Sequence, residues 1–573
     1  MVSFGQSAPV KFGTSLEGLT PLSRTSRLFP KADQLPAEYQ AILPYNGGSK
    51  VLINGELREW TGRFLDVTSP VMVQEDAGVS GFTKLSPLVV GKLPAMTPKE
   101  AMEALDAATA AYDKGRGEWP MMTHEQRIGC LQNFIEAIKP KRELVARLES
   151  LEIGKSYEDC LKEFDRTVEY MNKSIEALRA MDAASTNVVE IEGKLKKEIR
   201  TAKGVALCFG PYNYPLNESY AGMIPALLMG NTIIAKLPKL GSLCTTPLLE
   251  AFQQSFPKGV INYLSCDPAD DAKLIQPIME SGKIDILSFI GSEKGANAIE
   301  KMHPKPNRLT SVLGLGAKNP AVILPGADLD KAVQEAVTGA LSYNGQRCTA
   351  LKVFFVPEGQ MAQDFAEKLT NAVNSLKVGM PYEKGVKITP LPNEQTVAYM
   401  KSLVDDARAK GAVVLNEAQG GGTFAKTMYI PAVLGGVTPE MAIYRSEQFG
   451  PVVPIVTYKN ISEVVDYVAD SEVGQQASIF GKDNFAMNWL VGQFKNQFCR
   501  ININEQCQRS PDEFAFDGRK NSAKGTLSIT DALKVFSTMN MVTMKATDEN
   551  RARMQAIGFE PRPVRPTRPD PSA

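Results

Sequence analysis

Residues 205–237 read VALCFGPYNYPLNESYAGMIPALLMGNTIIAKL. An apolar run of strand length (VALCF) gives way to a turn rich in glycine, proline and asparagine. A helical run follows (PLNESYAGMIPALLMG), and then a second strand-like run (NTIIAKL). Strand, helix and strand in that order make a βαβ unit, and such units build mostly parallel sheets. The pattern continues in VINYL (260–264), DILSFIG (285–291), PAVILP (320–325) and LKVFFVP (351–357). The chain therefore reads as α/β. Ligands of such sheets gather at the carboxyl ends of the strands. The informative loops are then GPYNYP (210–215), AKLPKLG (235–241), FIGSEKG (289–295) and the approach to Cys348.

Upstream, KVLINGELREW (50–60) is strand-like. Thr97-Pro98-Lys99-Glu100 is a capping box with proline at the first helical position, and Thr123–Gln126 is a second. Behind it Ile128, Leu131, Phe134, Ile135 and Ile138 share one helical face, and helical patterning runs to about Met181. VVEIEGKLKKEIRT (188–201) reads as a hairpin-like pair of strands. Residues 1–40 have no clear periodicity, and EPRPVRPTRPDPSA (560–573) has the composition of an extended, solvated tail.

A chain of 573 residues exceeds one simple core, so two or three domains are expected. Lysine plus arginine and aspartate plus glutamate both total 64. No overall basic field draws the chain to nucleic acid or an anionic membrane. The most apolar stretch (220–235) contains Pro225, Asn231 and Thr232 and is too short and polar to span a bilayer. Eight cysteines with no CxxC pair fit a reducing compartment, the cytoplasm, better than a disulfide framework. The acid-poor, serine-containing first 30 residues leave an organelle-targeting signal open. Only His124 and His303 exist, so a His-rich metal site or a Ser-His-Asp triad is not expected, and no metal is assigned.

Cys348 lies in SYNGQRCTAL (342–351). A lone cysteine is more often a small buried hydrophobe than a nucleophile. Its neighbours change that: Gly345 permits close approach of a substrate, and Arg347 is a cation able to favour a thiolate or bind an anionic substrate. Asn213 in GPYNYP either supplies an amide N–H to an oxyanion or holds a turn between two prolines. Lys236 and Lys239 flank Pro238, where two ammonium groups suit a ribose and a phosphate or make a solvated loop. FIGSEKG offers a strand, a tight turn and a helix start, a cradle for a diphosphate that is weak evidence alone.

Taken together, GPYNYP, AKLPK, FIGSEKG, NGQRC and SEQFGP (446–451) resemble, in order and approximate spacing, the aldehyde dehydrogenase superfamily over about residues 50–545. The resemblance implies that Cys348 attacks an aldehyde to give a thiohemiacetal, with the oxyanion held by Asn213 and the Cys348 backbone N–H. Loss of hydride to a nicotinamide then leaves a thioester. It further implies Lys236 on the adenosine ribose, Glu447 on the nicotinamide ribose with Phe449 beside it, and Gly291 and Ser292 facing the diphosphate. Lys239 near the ribose 2′ position favours NADP, with NAD as the alternative. GQRCTALK and QRSPDEFAF (508–516) are most similar to non-phosphorylating glyceraldehyde-3-phosphate dehydrogenases, which implies Arg127, Lys173, Arg347 and Arg509 as ligands of a substrate phosphate. Several cations in one pocket are costly without an anion.

One position departs from the family. Its usual E-L-G-G-K run reads Gly314-Leu315-Gly316-Ala317-Lys318 here, so Gly314 replaces the glutamate that activates water for thioester hydrolysis. Base assistance is typically worth about 10²–10⁴-fold. Three readings follow. The favoured one is NADP-dependent oxidation of glyceraldehyde 3-phosphate to 3-phosphoglycerate, a step of glycolytic metabolism, with slow deacylation or another base such as Glu447. The alternatives are a coenzyme-A-acylating aldehyde dehydrogenase and a binding or structural protein that keeps the fold.

The expected architecture is aldehyde dehydrogenase-like. A Rossmann-type cofactor domain covers 40–325, with the hairpin 186–203 excursing from it, and an α/β catalytic domain covers 326–520. Residues 521–548 complete a small oligomerisation sheet, giving a homo-dimer or homo-tetramer, and 1–39 and 549–573 are flexible termini.

Overall fold

The strands Val205–Phe209 and Thr232–Lys236 flank the helix Asn217–Leu228 and pair in parallel. In the computed structural model, which describes residues 26–75, 84–185 and 187–557, they lie within a six-stranded sheet. Its order is Ala523–Lys524, Thr310–Gly314, Ile286–Ile290, Val205–Phe209, Thr232–Lys236, Ile261–Leu264. All neighbours are parallel except Ala523–Lys524, which closes one edge antiparallel. The chain builds outward from Val205 to Ile261 and then crosses to Ile286 on the other side. The topological switch point thus opens between Phe209 and Ile290, where a crevice forms at the carboxyl ends.

The second sheet has seven strands in the order Val413–Val414, Ala432–Gly435, Val452–Tyr458, Leu351–Pro357, Asn319–Ile323, Gln476–Phe480, Arg500–Ile503. Since Asn319–Ile323 already belongs to it, the division between the sheets falls between Gly314 and Asn319, ahead of 325. Cys348 precedes the strand Leu351–Pro357 and so stands at the amino end of its sheet, not the carboxyl end. The carboxyl edge of one sheet therefore meets the amino edge of the other.

Both capping boxes form. Thr97 and Glu100 cap Pro98–Tyr112, and Thr123 and Gln126 cap His124–Ile138. The latter helix buries Ile128, Leu131, Phe134, Ile135 and Ile138, and Arg127 with them. A 29-residue helix, Tyr157–Ser185, follows. The hairpin strands Val189–Ile191 and Lys194–Ala202 join Ser537–Lys545 in a three-stranded antiparallel sheet, from which Ile191 and Met541 project exposed.

The strands of the second sheet beyond Pro357 were not read from the sequence, and neither was a hairpin near the amino end. Phe64–Glu75 and Lys84–Pro94 form a long hairpin whose register slips twice. Pro70, Pro87 and Pro94 break the alternation that marks a strand, and proline is tolerated in strands at bulges and edges. The termini are also more ordered than expected. Phe29 and Tyr39 are buried, Ala37–Gln40 is helical, and Asp548–Ala556 is a helix capped by Thr547 with Met554 buried. That last helix has one apolar anchor and no stripe. The proline-rich stretch 560–573 and residues 1–25 lie outside the described residues.

Candidate active site

The turn before Cys348 is wound left-handed through three residues: Tyr343 (φ 49°), Asn344 (φ 55°) and Gly345 (φ 74°). Side chains hold the two non-glycine members there. The Asn344 amide donates to Thr389 O at 3.1 Å and accepts from Thr389 N at 3.0 Å, and the Tyr343 hydroxyl donates to Ile153 O at 3.0 Å. A Cβ on Gly345 would lie 2.6 Å from Ala340 O. Gly345 is thus required by the turn; it is not on the cavity wall, which corrects the reading that it admits substrate. The Asn319 amide fixes the far side by donating to Cys348 O at 2.7 Å and Ala350 O at 2.9 Å.

Cys348 opens onto a cavity of about 1210 Å³ between the two sheets, above the roughly 300–1,000 Å³ of ordinary ligand pockets. Asn213, Gly314, Lys236, Glu447 and Arg509 share its wall. Burial pushes the Cys348 thiol up to about 11; the Glu218 carboxylate adds to this, while Lys352, Arg509 and a hydrogen bond from Gln475 pull it down. The cations that act on the sulfur are therefore Lys352 and Arg509. Arg347 lines the cavity too, but its Nη2 donates to Thr338 O (3.1 Å), Gly339 O (2.8 Å) and Gln506 Oε1 (3.3 Å), and its buried Nε has no hydrogen-bond partner among the described residues.

Asn213 donates from Nδ2 to Gln346 O at 2.7 Å, two residues before the cysteine. A primary amide has a second N–H. Behind the turn lies a wholly buried charge cluster. Lys155 donates to Asn213 O at 3.2 Å, to Glu149 at 3.2 Å and to Glu163, and sits 3.7 Å from the Tyr214 ring centre. Glu163 also accepts from the Leu216 and Asn217 amides at 3.0 Å. Burial and the nearby Glu163 hold the Glu149 carboxyl well above its usual range. This cluster nails the 210–217 turn against the helix Tyr157–Ser185.

At the cofactor end, Lys236 pairs with Asp271 at 2.6 Å, and Lys239, Gly291 and Ser292 line the same cavity. Ser292 caps the helix Glu293–Lys301, its Oγ accepting from Gly295 N at 3.2 Å. First-turn amides lack intrahelical acceptors and take anions. Glu447 accepts from Lys352 Nζ at 2.8 Å and from Ala317 N at 3.1 Å. A Cβ on Gly316 would stand 2.9 Å from Glu447 Oε2, so the wall is kept bare there. Phe449 sits beside it, 6.1 Å from the Tyr212 ring. Lys318 ties the two loops together, donating to Ile443 O (2.7 Å), Ser446 O (2.8 Å) and Gln448 Oε1 (2.5 Å); burial and Lys352 hold its pKa well below the usual value. Paired ammonium groups, a helix start and a glycine-lined wall suit a dinucleotide.

At the other end the arginine assignment changes. Arg127 does not reach the cavity. It lies on the apolar face of its helix, with Nε donating to Leu228 O at 2.7 Å and Nη1 to Met122 O at 2.5 Å, and burial pushes its pKa down to about 10. Lys173 is outside as well, paired with Glu169 (2.8 Å) and Glu513 (3.0 Å). In their place stands Arg166, bound to Asp512 at 2.7 Å. Arg509 forms an ion pair with Glu218, lies 3.6 Å from Asp512 and stacks 4.6 Å from the Phe516 ring centre. Arg166, Glu218, Asp512 and Lys352 were missed from the sequence. Lys352 and Asp512 lie inside the quoted GQRCTALK and QRSPDEFAF, and Glu218 lies three residues after GPYNYP, which was the available signal; Arg166 had none. A Cβ on Gly314 would meet Ile290 at 3.4 Å and Leu527 at 3.8 Å, ordinary contact, so space does not exclude a side chain there.

The chain resembles known proteins over most of its length. Residues 76–542 match the model of the aldehyde dehydrogenase family. A protein of Streptococcus equinus named NADP-dependent glyceraldehyde-3-phosphate dehydrogenase is 30% identical over 457 residues, 78% of this chain and 92% of its own. A protein of the same name from Pisum sativum is 29% identical over 453 residues, 78% and 88% of the two chains. Among solved structures, the NADP-dependent glyceraldehyde-3-phosphate dehydrogenase of Bacillus halodurans C-125 complexed with NADP superposes with a TM-score of 0.77 at 28% identity, covering 87% of this chain and 100% of that one.

Proposed function

The chain belongs to the aldehyde dehydrogenase family, and on that premise we propose that it oxidises glyceraldehyde 3-phosphate with NADP, through a thioester on Cys348. The observation that carries this is the convergence on one cavity of Cys348, Asn213, an end with Lys236 and Lys239, and an end with Arg166 and Arg509. The thiol gives up its proton and its sulfur bonds to the aldehyde carbon. The oxygen becomes an oxyanion facing the Asn213 amide and the Cys348 N–H. NADP, when bound, supplies the acceptor for the hydride that carbon loses. Lys236 and Glu447 would hold its two riboses, Phe449 would pack beside the nicotinamide, and Gly291 and Ser292 would face its diphosphate. Lys239 supports NADP over NAD, as do relatives named for NADP. Water then adds to the acyl carbon, the C–S bond breaks, the acyl group leaves as the acid, and the Cys348 sulfur takes up the water's other proton.

Arg166 and Arg509 support a phosphorylated substrate, with Arg347 beside them. Each of the first two already meets a carboxylate, Asp512 and Glu218, and this favours a second reading, an uncharged hydroxylated aldehyde. Steady-state kinetics with NADP separates the two. Hydrogen bonds to charged groups contribute about 1.5–3 kcal/mol, so glyceraldehyde 3-phosphate should exceed glyceraldehyde by about 10–100-fold in kcat/KM. Equal values remove the phosphate, and acyl-coenzyme A as product in place of free acid marks a thiol acceptor.

Assembly as a homo-dimer or homo-tetramer through the three-stranded sheet belongs to the same proposal, supported by its exposed Ile191 and Met541. So does a cytoplasmic location, supported by the unpaired cysteines. Among the described residues no helix is long and apolar enough to cross a membrane.

A further inference from the structure

Position 314 offers no carboxylate, yet a thioester needs a base to be hydrolysed quickly. Among the described residues four carboxylates line the cavity: Glu218, Asp271, Glu293 and Glu447. Three belong to the cofactor end. Asp271 pairs with Lys236, Glu293 opens the helix after Ser292, and Glu447 is held by Lys352 and the Ala317 amide. Glu218 stands apart from them. It occupies the first turn of Asn217–Leu228, directly after the loop that carries Asn213. Its charge acts on the Cys348 sulfur, where it opposes ionisation. Its ion-pair partner Arg509 donates from Nη2 to Leu527 O at 3.2 Å. The Leu527 side chain in turn lies 3.8 Å from where a Cβ of residue 314 would be. Arg509 thus links Glu218, which lines the same cavity as Cys348 and Gly314, to Leu527, the neighbour of position 314.

We infer that Glu218 is the base that deacylates Cys348, supplied from the helix Asn217–Leu228 in place of a carboxylate at position 314. The inference rests on the reading of Cys348 as the acylated residue. A water between Glu218 and the thioester gives a proton to the carboxylate as its oxygen bonds to the acyl carbon. The C–S bond breaks, the acid departs, and the proton passes from Glu218 back to the Cys348 sulfur. Nothing is oxidised or reduced in this step. The charged and titratable groups facing Glu218 are Arg509, Arg166, Tyr170 and Cys348, with Asp512 between the two arginines.

The test loads Cys348 with acetyl from p-nitrophenyl acetate, without cofactor. Released nitrophenolate counts the loaded sites, and intact mass follows loss of the acetyl group per loaded site. Misfolded protein lowers the count and leaves the rate untouched. Removing base assistance should slow deacetylation of Glu218→Gln by about 10²–10⁴-fold, and a fall smaller than about tenfold overturns the inference. Glu218→Asp keeps the charge against Arg509 but withdraws the oxygens by one methylene; it should also slow, and an unchanged rate counts against Glu218 in the same way. Adding Gly314→Glu to Glu218→Gln should restore the rate, which a merely structural role of Glu218 would not allow. Iodoacetamide alkylation of Cys348 should quicken in Glu218→Gln at fixed neutral pH, because the charge opposing the thiolate is gone; unchanged alkylation removes the proximity on which the inference stands. If wild-type Cys348 acetylates but no aldehyde yields NADPH, the substrate reading has failed and Glu218 is still tested.

Discussion

At the cofactor end of the cavity, Lys236, Lys239, Gly291 and Ser292 all lie within three residues of a strand's carboxyl end. At the substrate end, Arg166 comes from one helix, Glu218 from another, and Arg509 and Asp512 from a loop. The Arg166–Asp512 and Arg509–Glu218 contacts span 346 and 291 positions of sequence. The first end is a local device: parallel strands dictate where their following loops sit, and the loops bring the donors. The second end is assembled only by packing, from buried charges that must find one another across the fold. The four loop donors at the cofactor end are therefore local single contacts, and the substrate end is built from charges whose loss is felt by the fold itself.

The sharpest way to break this contrast is at Lys155, which supports the Asn213 turn from behind. Lys155→Met leaves Glu163 buried without its cation. Breaking a buried pair costs about 3–5 kcal/mol, and urea unfolding monitored by tryptophan fluorescence should show a loss of that size. A loss no larger than that of an exposed lysine would mean that the Asn213 turn, which packing also assembles, does not depend on its buried charges. Lys239→Ala sharpens the contrast from the other side with a smaller effect. Loss of one charge-assisted contact of about 1.5 kcal/mol should weaken NADP by about tenfold, leave NAD nearly unchanged, and move stability by less than about 0.5 kcal/mol. A symmetric loss for both dinucleotides would separate Lys239 from the 2′-phosphate.

The same contrast explains what the sequence disclosed. The strands from Val205 to Ile290, the helix starts at Thr97 and Thr123, and the motif loops were legible because each is encoded within about ten residues. Arg127 was misplaced because its assignment rested on the resemblance alone and set aside the apolar face of its own helix. Ile128 and Leu131 put the neighbouring Arg127 on the buried face, where backbone carbonyls consume its guanidinium. Arg166 and Asp512 carry no local mark that they would meet. Gly345 was read as a concession to substrate, whereas its φ of 74° and the nearness of Ala340 O make it a requirement of the turn. The hairpin Phe64–Pro94 escaped because its prolines and slipped register erase alternation.

The most direct measurement is rapid mixing of the protein with NADP and glyceraldehyde 3-phosphate, followed by acid quench, NADPH absorbance and intact mass with peptide mapping. The account predicts NADPH formed in step with a phosphoglyceryl adduct on Cys348, up to one per chain, and no adduct in Cys348→Ala. NADPH formation without any adduct on Cys348, or the same adduct in Cys348→Ala, would contradict it.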